Sequence, residues 1–447
     1  MFNKRFKIIF YFKRLIFLIF LGFIFLNSHP VFSQTKDYKT FVVKDTSSLI
    51  YKLMMTRPDI FQRYIDSADQ FEIQIIYTQI NRDKHNNPSF TQYTYRVNDS
   101  VYFNPASLVK LPVLLMSLEK LNNLNIKKIN KYTLMHFDSV HSCQLNISND
   151  TNAPRGKPCV AHYIRQILLA SNNQAYNRLY EFLGQQYINE RLHTLGYNKA
   201  CIIQKFMGCS YDENKYSPII QFYNKKSISI YKQPMLYNEK NYFNPLDSVK
   251  KGNAYLDTTG TLVKAPKDFS RANNLPLQVV NDLFLYAIFP EAAPKEKQMN
   301  LTKSDHQFLM KYFAIYPRES GYKQFSDTSQ YPDNLKKYFY YKRSERSITD
   351  DNLRILNIVG QAWGWLADCA YFVDFKNKRE FLLTAVVYNV TDGIIDPAHY
   401  RTDTVGFPFL TSLGQLFYDY ELARPHAYEP NLKKVRKVVC LKDKRKI

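Results

Sequence analysis

The chain turns from an extended segment into an apolar helix at Asn104-Pro105-Ala106-Ser107-Leu108-Val109-Lys110-Leu111-Pro112. The helix is predicted because leucines recur at helical spacing after the serine, at Leu111, Leu114, Leu115, Leu118, Leu121 and Leu124. Ser107 would lie in the first turn, where free backbone N–H groups and the helix dipole favour a developing oxyanion. Lys110 follows on the same face, so its amine could take the proton of the Ser107 hydroxyl.

The spacing Ser-x-x-Lys alone carries little information in this chain. It occurs six times, starting at Ser33, Ser107, Ser117, Ser229, Ser248 and Ser320. Only the copy at Ser107 opens a long apolar helix in this way. Taken by itself, that segment also fits an ordinary helix N-terminus with a solvated lysine, so the interpretation depends on a second motif.

The second motif is Ser171-Asn172-Asn173, the only Ser-x-Asn in the chain, which lies between two helical stretches. Together with the phrase around Ser107 and with Leu-Glu-Lys-Leu at 118–121, it resembles the class A β-lactamase and penicillin-binding protein superfamily. In that superfamily a Ser-x-x-Lys box on a buried helix is followed by a Ser-Asp-Asn box in an interhelical loop. The resemblance extends from about Phe71 to Arg424.

The resemblance implies an α+β, β-lactamase/transpeptidase-like fold: a five-stranded antiparallel sheet flanked by terminal helices, with an inserted helical subdomain. The residue pattern agrees, since it predicts a helix around 48–67, a hairpin over 71–97, three strands at 355–362, 369–375 and 381–388, and a closing helix at 407–422. The predicted domains are a signal peptide (1–33), the first part of the sheet (34–105), the helical subdomain (106–345, with an insertion at about 219–275), the second part of the sheet (346–425) and a basic tail (426–447).

The resemblance also implies a role for each candidate site residue. Ser107 would be the nucleophile, Lys110 its base and Ser171 the proton relay to the leaving group. Asn173 would bind the substrate amide. On the strand that lines the cleft, Gly360 would allow a close approach of the backbone, and Gln361 would donate a backbone N–H to the oxyanion. Asn172 stands where the superfamily has aspartate. It should still accept backbone hydrogen bonds and hold the loop.

Two parts of the superfamily pattern are missing. The third box, Lys-Thr-Gly or Lys-Ser-Gly, is absent, and its best match is Ile358-Val359-Gly360. The cation that grips a substrate carboxylate is therefore lost unless another, such as Arg354, replaces it. The stretch 212–218 resembles the end of the superfamily's Ω-loop, or else is a charged turn. The Ω-loop glutamate that activates water for deacylation would lie a few residues earlier, but no acid occurs between Cys201 and Ser210. Glu213 is the nearest candidate for the deacylating acid, in the wrong register.

These patterns predict a serine hydrolase acting on an amide or ester other than a conventional β-lactam. The alternative is a catalytically impaired binding module of the cell envelope, its cleft filled by Ile358, Trp363 and Trp365. A globular protein with chance motifs is the third interpretation. The nine histidines show no zinc-binding spacing, so no metal or other cofactor is expected, and the protein is predicted to be a monomer.

Charge and composition bear on location and partners. A basic start followed by the apolar run Leu15 to Leu26 predicts export to the periplasm or cell envelope, by a cleaved signal peptide or, as a minority interpretation, with an uncleaved anchor. The formal net charge is +22, and eight cations lie between Lys433 and Lys446. Such a tail is usually solvated, although it could bind anionic envelope polymers or lipid headgroups. Nucleic acid is not expected as a partner, since no basic-aromatic module occurs.

Six cysteines stand at 143, 159, 201, 209, 369 and 440. Disulfides are allowed in an exported protein, and the pairs closest in sequence, Cys143 with Cys159 and Cys201 with Cys209, are the natural candidates. Some of the six are expected to be buried thiols instead.

Overall fold

The computed structural model describes residues 42–44, 47–247 and 249–439. The predicted signal peptide and the end of the basic tail, with Cys440, lie outside these residues. The described helices are α1 (Ser47–Met54), α2 (Pro58–Asp66), α3 (Lys110–Asn123), α4 (Val160–Ala170), α5 (Asn173–Leu183), α6 (Gln185–Thr194), α7 (Leu277–Ile288), α8 (Lys303–Ala314), α9 (Phe407–Ala423) and α10 (Lys433–Val439).

The described strands fall into a central sheet and several small ones. In chain order they are β1 (Val42–Lys44), β2 (Gln74–Arg82), β3 (Pro88–Tyr95), β4 (Leu134–Asp138), β5 (Tyr216–Ser217), β6 (Ile219–Tyr223), β7 (Ser229–Gln233), β8 (Leu236–Tyr237), β9 (Lys250–Lys251), β10 (Ala254–Leu256), β11 (Leu262–Val263), β12 (Lys267–Asp268), β13 (Leu353–Ala362), β14 (Trp365–Asp374), β15 (Arg379–Tyr388) and β16 (Ile394–Ile395).

The central sheet confirms the predicted architecture. Its order is β1-β3-β2-β15-β14-β13, and the five strands from β3 to β13 are antiparallel. The short β1 adds a sixth, parallel strand beside β3. Because β2 and β3 precede the helices and β13 to β15 follow them, two distant parts of the chain complete one sheet. Strand β13 lies at the edge, on the side where the site is built.

Each face of the sheet is covered by its own hydrophobic core. One core joins the sheet to the terminal helices α1, α2 and α9, through residues such as Phe61, Phe409 and Phe417. The other joins it to the helical part and includes Leu111, Leu168 and Leu283. Strand β14 is buried along its whole length, and its sequence is apolar apart from Asp368 and Asp374 instead of alternating between apolar and polar residues.

Several expectations from the sequence need correction in detail. The helix predicted over 48–67 is two helices, because Pro58 starts α2 and the preceding residues leave the helical conformation. The tail is solvated only in part: α10 lies within it, and Leu432 and Val439 are buried in the core. The insertion at 219–275 consists of short strands, β6 to β12.

The expected disulfide pairing is wrong. Cys143 is bonded to Cys209, while Cys159 and Cys201 are buried free thiols. The bridge joins the loop after β4 to the segment before β5, two parts of the chain that are 66 positions apart. Cys369 is a third buried thiol among the described residues.

Across the described ranges, none of the helices combines the length and apolar character that a membrane span requires.

Candidate active site

Ser107 lies in a 3₁₀ turn, Ala106–Val109, that runs directly into α3. Ala106 has a left-handed backbone with φ of 46°, which is unfavourable for a residue with a Cβ. The conformation is held because the Ala106 N–H donates to Asn104 Oδ1 at 2.9 Å and the Leu108 N–H donates to Pro105 O at 2.9 Å. The turn leaves Ser107 half-buried, at the start of the buried helix predicted from the leucine spacing.

The second motif lies at the junction of α4 and α5. Ser171 ends α4 in the left-handed conformation, with φ of 52°. Asn172 caps α5, since its Oδ1 accepts a hydrogen bond from the Ala175 N–H at 2.9 Å. The asparagine therefore supplies the loop-holding hydrogen bond expected of it in place of aspartate. The cap turns Ser171 and Asn173 towards the Ser107 helix.

Lys110 joins the two motifs. Its Nζ lies 2.9 Å from Ser107 Oγ, 3.0 Å from Ser171 Oγ, 2.5 Å from the Ser171 carbonyl oxygen and 2.8 Å from Asn173 Oδ1. The two carbonyl-type oxygens can only accept, so they take two N–H bonds of the amine. When the amine is neutral, its lone pair remains for the Ser107 hydroxyl to donate to. This is the arrangement that a general base requires.

The environment of Lys110 favours that neutral form. Its side chain is fully buried, and burial, together with the positive charge of Lys336, lowers its pKa from 10.5 to about 7. A substantial fraction of the amine is therefore unprotonated near neutral pH. The ring of Phe206 covers it, with its centroid 5.3 Å from Nζ.

Gly360 brings β13 against the serine turn. A Cβ at this position would lie 2.7 Å from Pro105 O and 3.1 Å from Leu108 Cγ, so only glycine fits without displacement. Because β13 is the edge strand, no strand of the described residues pairs with its outward backbone groups. The next residue, Gln361, has an exposed side chain that lines the site.

These elements enclose a cavity of about 300 Å³ that contains two basic residues not anticipated from the sequence. It is lined by Ser107, Ala170, Ser171, Leu335, Lys336, Tyr338, Arg343, Val359, Gln361 and Phe407. The Lys336 ammonium donates to Leu168 O, and Arg343 donates to Asn334 O at 2.5 Å with its guanidinium 4.7 Å from the Phe407 ring centroid. Neither cation has an ion pair within the described residues. No acidic residue is among those lining the cavity.

Two residues suggested by the sequence do not serve the site as proposed. Arg354 does not replace the missing cation, because it is paired with Glu319 and Asp351. Glu213 is held by Ser142 Oγ at 2.8 Å and the Ser210 N–H at 2.7 Å, which lower its pKa to about 2, and it does not line the cavity.

The residues expected to fill the cleft do not fill it. Trp365 is buried in the core, Ile358 is also buried, and Trp363 is 37% exposed. None of the three lines the cavity beside Ser107.

Comparison with protein families confirms the resemblance. Residues 59–230 match the β-lactamase enzyme family, a segment that contains Ser107, Lys110 and Ser171 and spans less than half of the chain. With the sheet order given above, this confirms the β-lactamase-like α+β fold.

Three solved structures illustrate the similarity. A β-lactamase from Burkholderia phymatum shares 11% identity over 83% of this chain and 100% of its own, with a TM-score of 0.44. The chromosome-encoded β-lactamase of Vibrio parahaemolyticus shares 10% over 81% and 98%, with a TM-score of 0.42. A mutant of PBP-A in an acyl-enzyme complex with penicillin G shares 10% over 84% and 97%, with a TM-score of 0.42. A search of curated proteins finds no significant match.

Proposed function

We propose, from the premise of a β-lactamase-like fold, that this protein is an exported serine hydrolase that forms an acyl-enzyme at Ser107. The observation that carries the proposal is the position of Lys110 Nζ, within 3.0 Å of the hydroxyls of both Ser107 and Ser171. This position, together with a pKa near 7, is what a general base for the Ser107 hydroxyl requires.

The proposed reaction begins with proton transfer from the Ser107 hydroxyl to Lys110. Ser107 Oγ then attacks the carbonyl carbon of an amide or ester, and the carbonyl oxygen becomes an oxyanion. The backbone N–H of Gln361 would stabilise it, as the resemblance implies, together with the free N–H groups of the first turn at Ser107. Collapse expels the leaving nitrogen or oxygen, which takes a proton from Lys110 through Ser171. The acyl group remains as an ester on Ser107 until water releases it.

The two cations in the cavity support a substrate with an anionic group. Lys336 and Arg343 occupy the same cavity as Ser107, with no acid among its lining residues. A carboxylate bound between them would gain charge-assisted hydrogen bonds, worth roughly 1.5–3 kcal/mol each. Burial lowers the pKa of Lys336 to about 7, so this attraction should be strongest in neutral to acidic solution. The cation lost from the third motif would then be supplied by a different segment.

The export part of the proposal rests on the N-terminal pattern and is supported by the Cys143–Cys209 disulfide, since such bonds persist in oxidising compartments. Expression of the full chain followed by cell fractionation and N-terminal sequencing tests it. A mature protein in the envelope fraction that begins shortly after Ser33 is expected. An intact N-terminus in the cytoplasm would contradict export.

One observation favours the binding module instead. The Phe206 ring covers Lys110, and the cavity offers no carboxylate to activate water. A module would bind its ligand reversibly and leave Ser107 unmodified. The two functions therefore differ in whether a covalent adduct forms at Ser107.

Active-site labelling separates these functions. The purified protein is incubated with a fluorophosphonate and with a fluorescent penicillin, and the adduct is located by mass spectrometry. We expect labelling at Ser107 that is abolished in Ser107→Ala and strongly reduced in Lys110→Met.

The matched control is Ser117→Ala. Ser117 and Lys120 repeat the Ser-x-x-Lys spacing further along α3. The Ser117 hydroxyl is buried, however, and donates to Val113 O at 2.8 Å. This variant should label normally. Labelling that survives in Ser107→Ala, or no labelling of the natural protein by either probe, would refute the hydrolase.

A further inference from the structure

A basic groove lies outside the Ser107 cavity, at the other end of α3. It has a volume of about 740 Å³, and five of its lining residues are lysines. Lys127, Lys128, Lys157 and Lys225 are exposed, whereas Lys131 is buried and paired with Asp305 at 2.8 Å. No acidic residue lines the groove.

The groove is built by four segments that are distant in sequence, three of which carry its lysines while the fourth contributes Ser304 from α8. Residues 127–134 follow α3, Lys157 precedes α4, and Tyr223 to Lys225 form the end of β6 and the turn after it. Strands β4 and β6 bring the first and third segments together by pairing Leu134 with Tyr223. The lysine cluster is therefore a product of the fold rather than of one charged run.

Four like charges in one concavity repel one another, and nothing in the described part of the chain neutralises the exposed four by an ion pair. A ligand with several negative charges would relieve that repulsion. A concave groove suits a chain-like ligand better than a flat bilayer. No arginine lines it, so the planar fork that binds a single carboxylate or phosphate in bidentate fashion is missing, and the lysines offer separate point charges on flexible stems.

The remaining lining residues suit a saccharide. Asn130, Asn224 and Ser304 present amide and hydroxyl groups, and Tyr132 and Tyr223 add half-buried aromatic rings beside the lysines. The Tyr223 ring is held in place by His136, with ring centroids 4.5 Å apart. We propose that this groove binds a strand of carboxylated glycan, independently of the reaction at Ser107.

The test compares two variants with the same loss of charge. One replaces the exposed groove lysines, Lys127→Gln, Lys128→Gln, Lys157→Gln and Lys225→Gln. The other replaces four exposed lysines elsewhere, Lys84→Gln, Lys264→Gln, Lys323→Gln and Lys376→Gln. Binding of a fluorescent polygalacturonate oligosaccharide is followed by anisotropy at low and moderate salt, with a neutral dextran oligosaccharide as the reference ligand. Thermal melts establish that both variants fold.

We expect the groove variant to bind polygalacturonate at least about tenfold more weakly, from four surface charge contacts, and the control variant to stay within about twofold of the natural protein. Added salt should weaken binding, dextran should not bind, and Ser107→Ala should bind normally. An equal loss in both variants would mean that only net charge matters and would overturn the proposal. Absence of binding, or tighter groove-dependent binding of single-stranded DNA or phosphatidylglycerol vesicles, would overturn it as well.

Discussion

Lys110 and Lys336 are two buried lysines in one site, and the charge of Lys336 acts on Lys110. Burial lowers the pKa of both to about 7, and for Lys110 the positive charge of Lys336 is a second, smaller cause of that lowering. In the proposed reaction Lys336 would therefore act through the protonation state of Lys110, in addition to its proposed contact with an anionic substrate. The two roles can be separated by using a probe that carries no carboxylate.

The rate of Ser107 labelling by a fluorophosphonate should increase as the pH rises through about 7, because Lys110 acts as a base only after it loses its proton. Replacing Lys336 with Gln removes a neighbouring positive charge, which raises the pKa of Lys110. The midpoint of the pH profile should move to higher pH. A midpoint that stays in place or moves down in Lys336→Gln would show that this charge does not act on Lys110.

The absence of an acid among the residues lining the cavity predicts a long-lived acyl-enzyme. Water that enters to cleave the ester finds no carboxylate to take its proton, and the Phe206 ring covers the amine. Turnover of an activated ester should show a burst of about one equivalent followed by a slow phase. Intact-mass measurements over the same period should find the adduct on most of the protein. A linear time course without accumulated adduct would contradict this expectation.

At the scale of elements, the helix α3 and strand β13 could be predicted because their signals are local. Leucine spacing marks the helix, and a run of apolar residues ending in glycine marks the strand. Lys336 and Arg343 could not be predicted, since they come from a segment without regular structure between α8 and β13. Only the packing of that segment against α4 brings them to Ser107, as the Lys336 contact with Leu168 O demonstrates.

The disulfide illustrates the same limit. Cysteines near each other in sequence were the natural pairs, yet the bond joins Cys143 to Cys209 across 66 positions. The loop after β4 and the segment before β5 meet because β4 pairs with β6, a strand about 80 positions further along the chain. Pairing therefore follows three-dimensional proximity, which sequence separation does not reveal.

Replacing both bridge cysteines, Cys143→Ser with Cys209→Ser, should lower the free energy of unfolding by roughly 2–4 kcal/mol, because the unfolded chain loses a long closed loop. Urea denaturation of the natural protein and the double variant measures the difference. A reducing agent serves as the control: it should bring the natural protein to the stability of the variant and leave the variant unchanged. Equal stability of the two oxidised proteins would contradict the prediction.

For the whole molecule, buried lysines should determine how stability depends on pH. Burial lowers the pKa of Lys110, Lys120 and Lys336 to about 7 and that of Lys337 well below its usual value. Above pH 7 these amines are unprotonated in the folded chain but still protonated in the unfolded one. The unfolded state then binds more protons, so stability rises with pH. The buried thiols Cys159, Cys201 and Cys369, whose pKa values are raised, oppose this trend above about pH 8.5.

The free energy of unfolding should accordingly increase between pH 7.5 and 8.3, each buried lysine contributing about 1.4 kcal/mol per pH unit. Lys120→Met, which is remote from the Ser107 cavity, should reduce the slope by one such contribution. The exposed Lys128→Met is the matched control and should leave the slope unchanged. Urea denaturation at several pH values measures both, and a slope that is flat or negative in the natural protein would contradict the prediction.

The contact between Gly360 and the serine turn limits which residues can replace this glycine. Even a methyl group would lie 2.7 Å from the Pro105 carbonyl oxygen, so alanine already requires strand and turn to separate. A library that saturates codon 360, sorted for labelling, should return almost only glycine, whereas codon 361 should tolerate many residues. Lys336 and Arg343 bring positive charge to the cavity from another segment, whereas no residue with a Cβ can take the place of Gly360 without moving the strand or the turn.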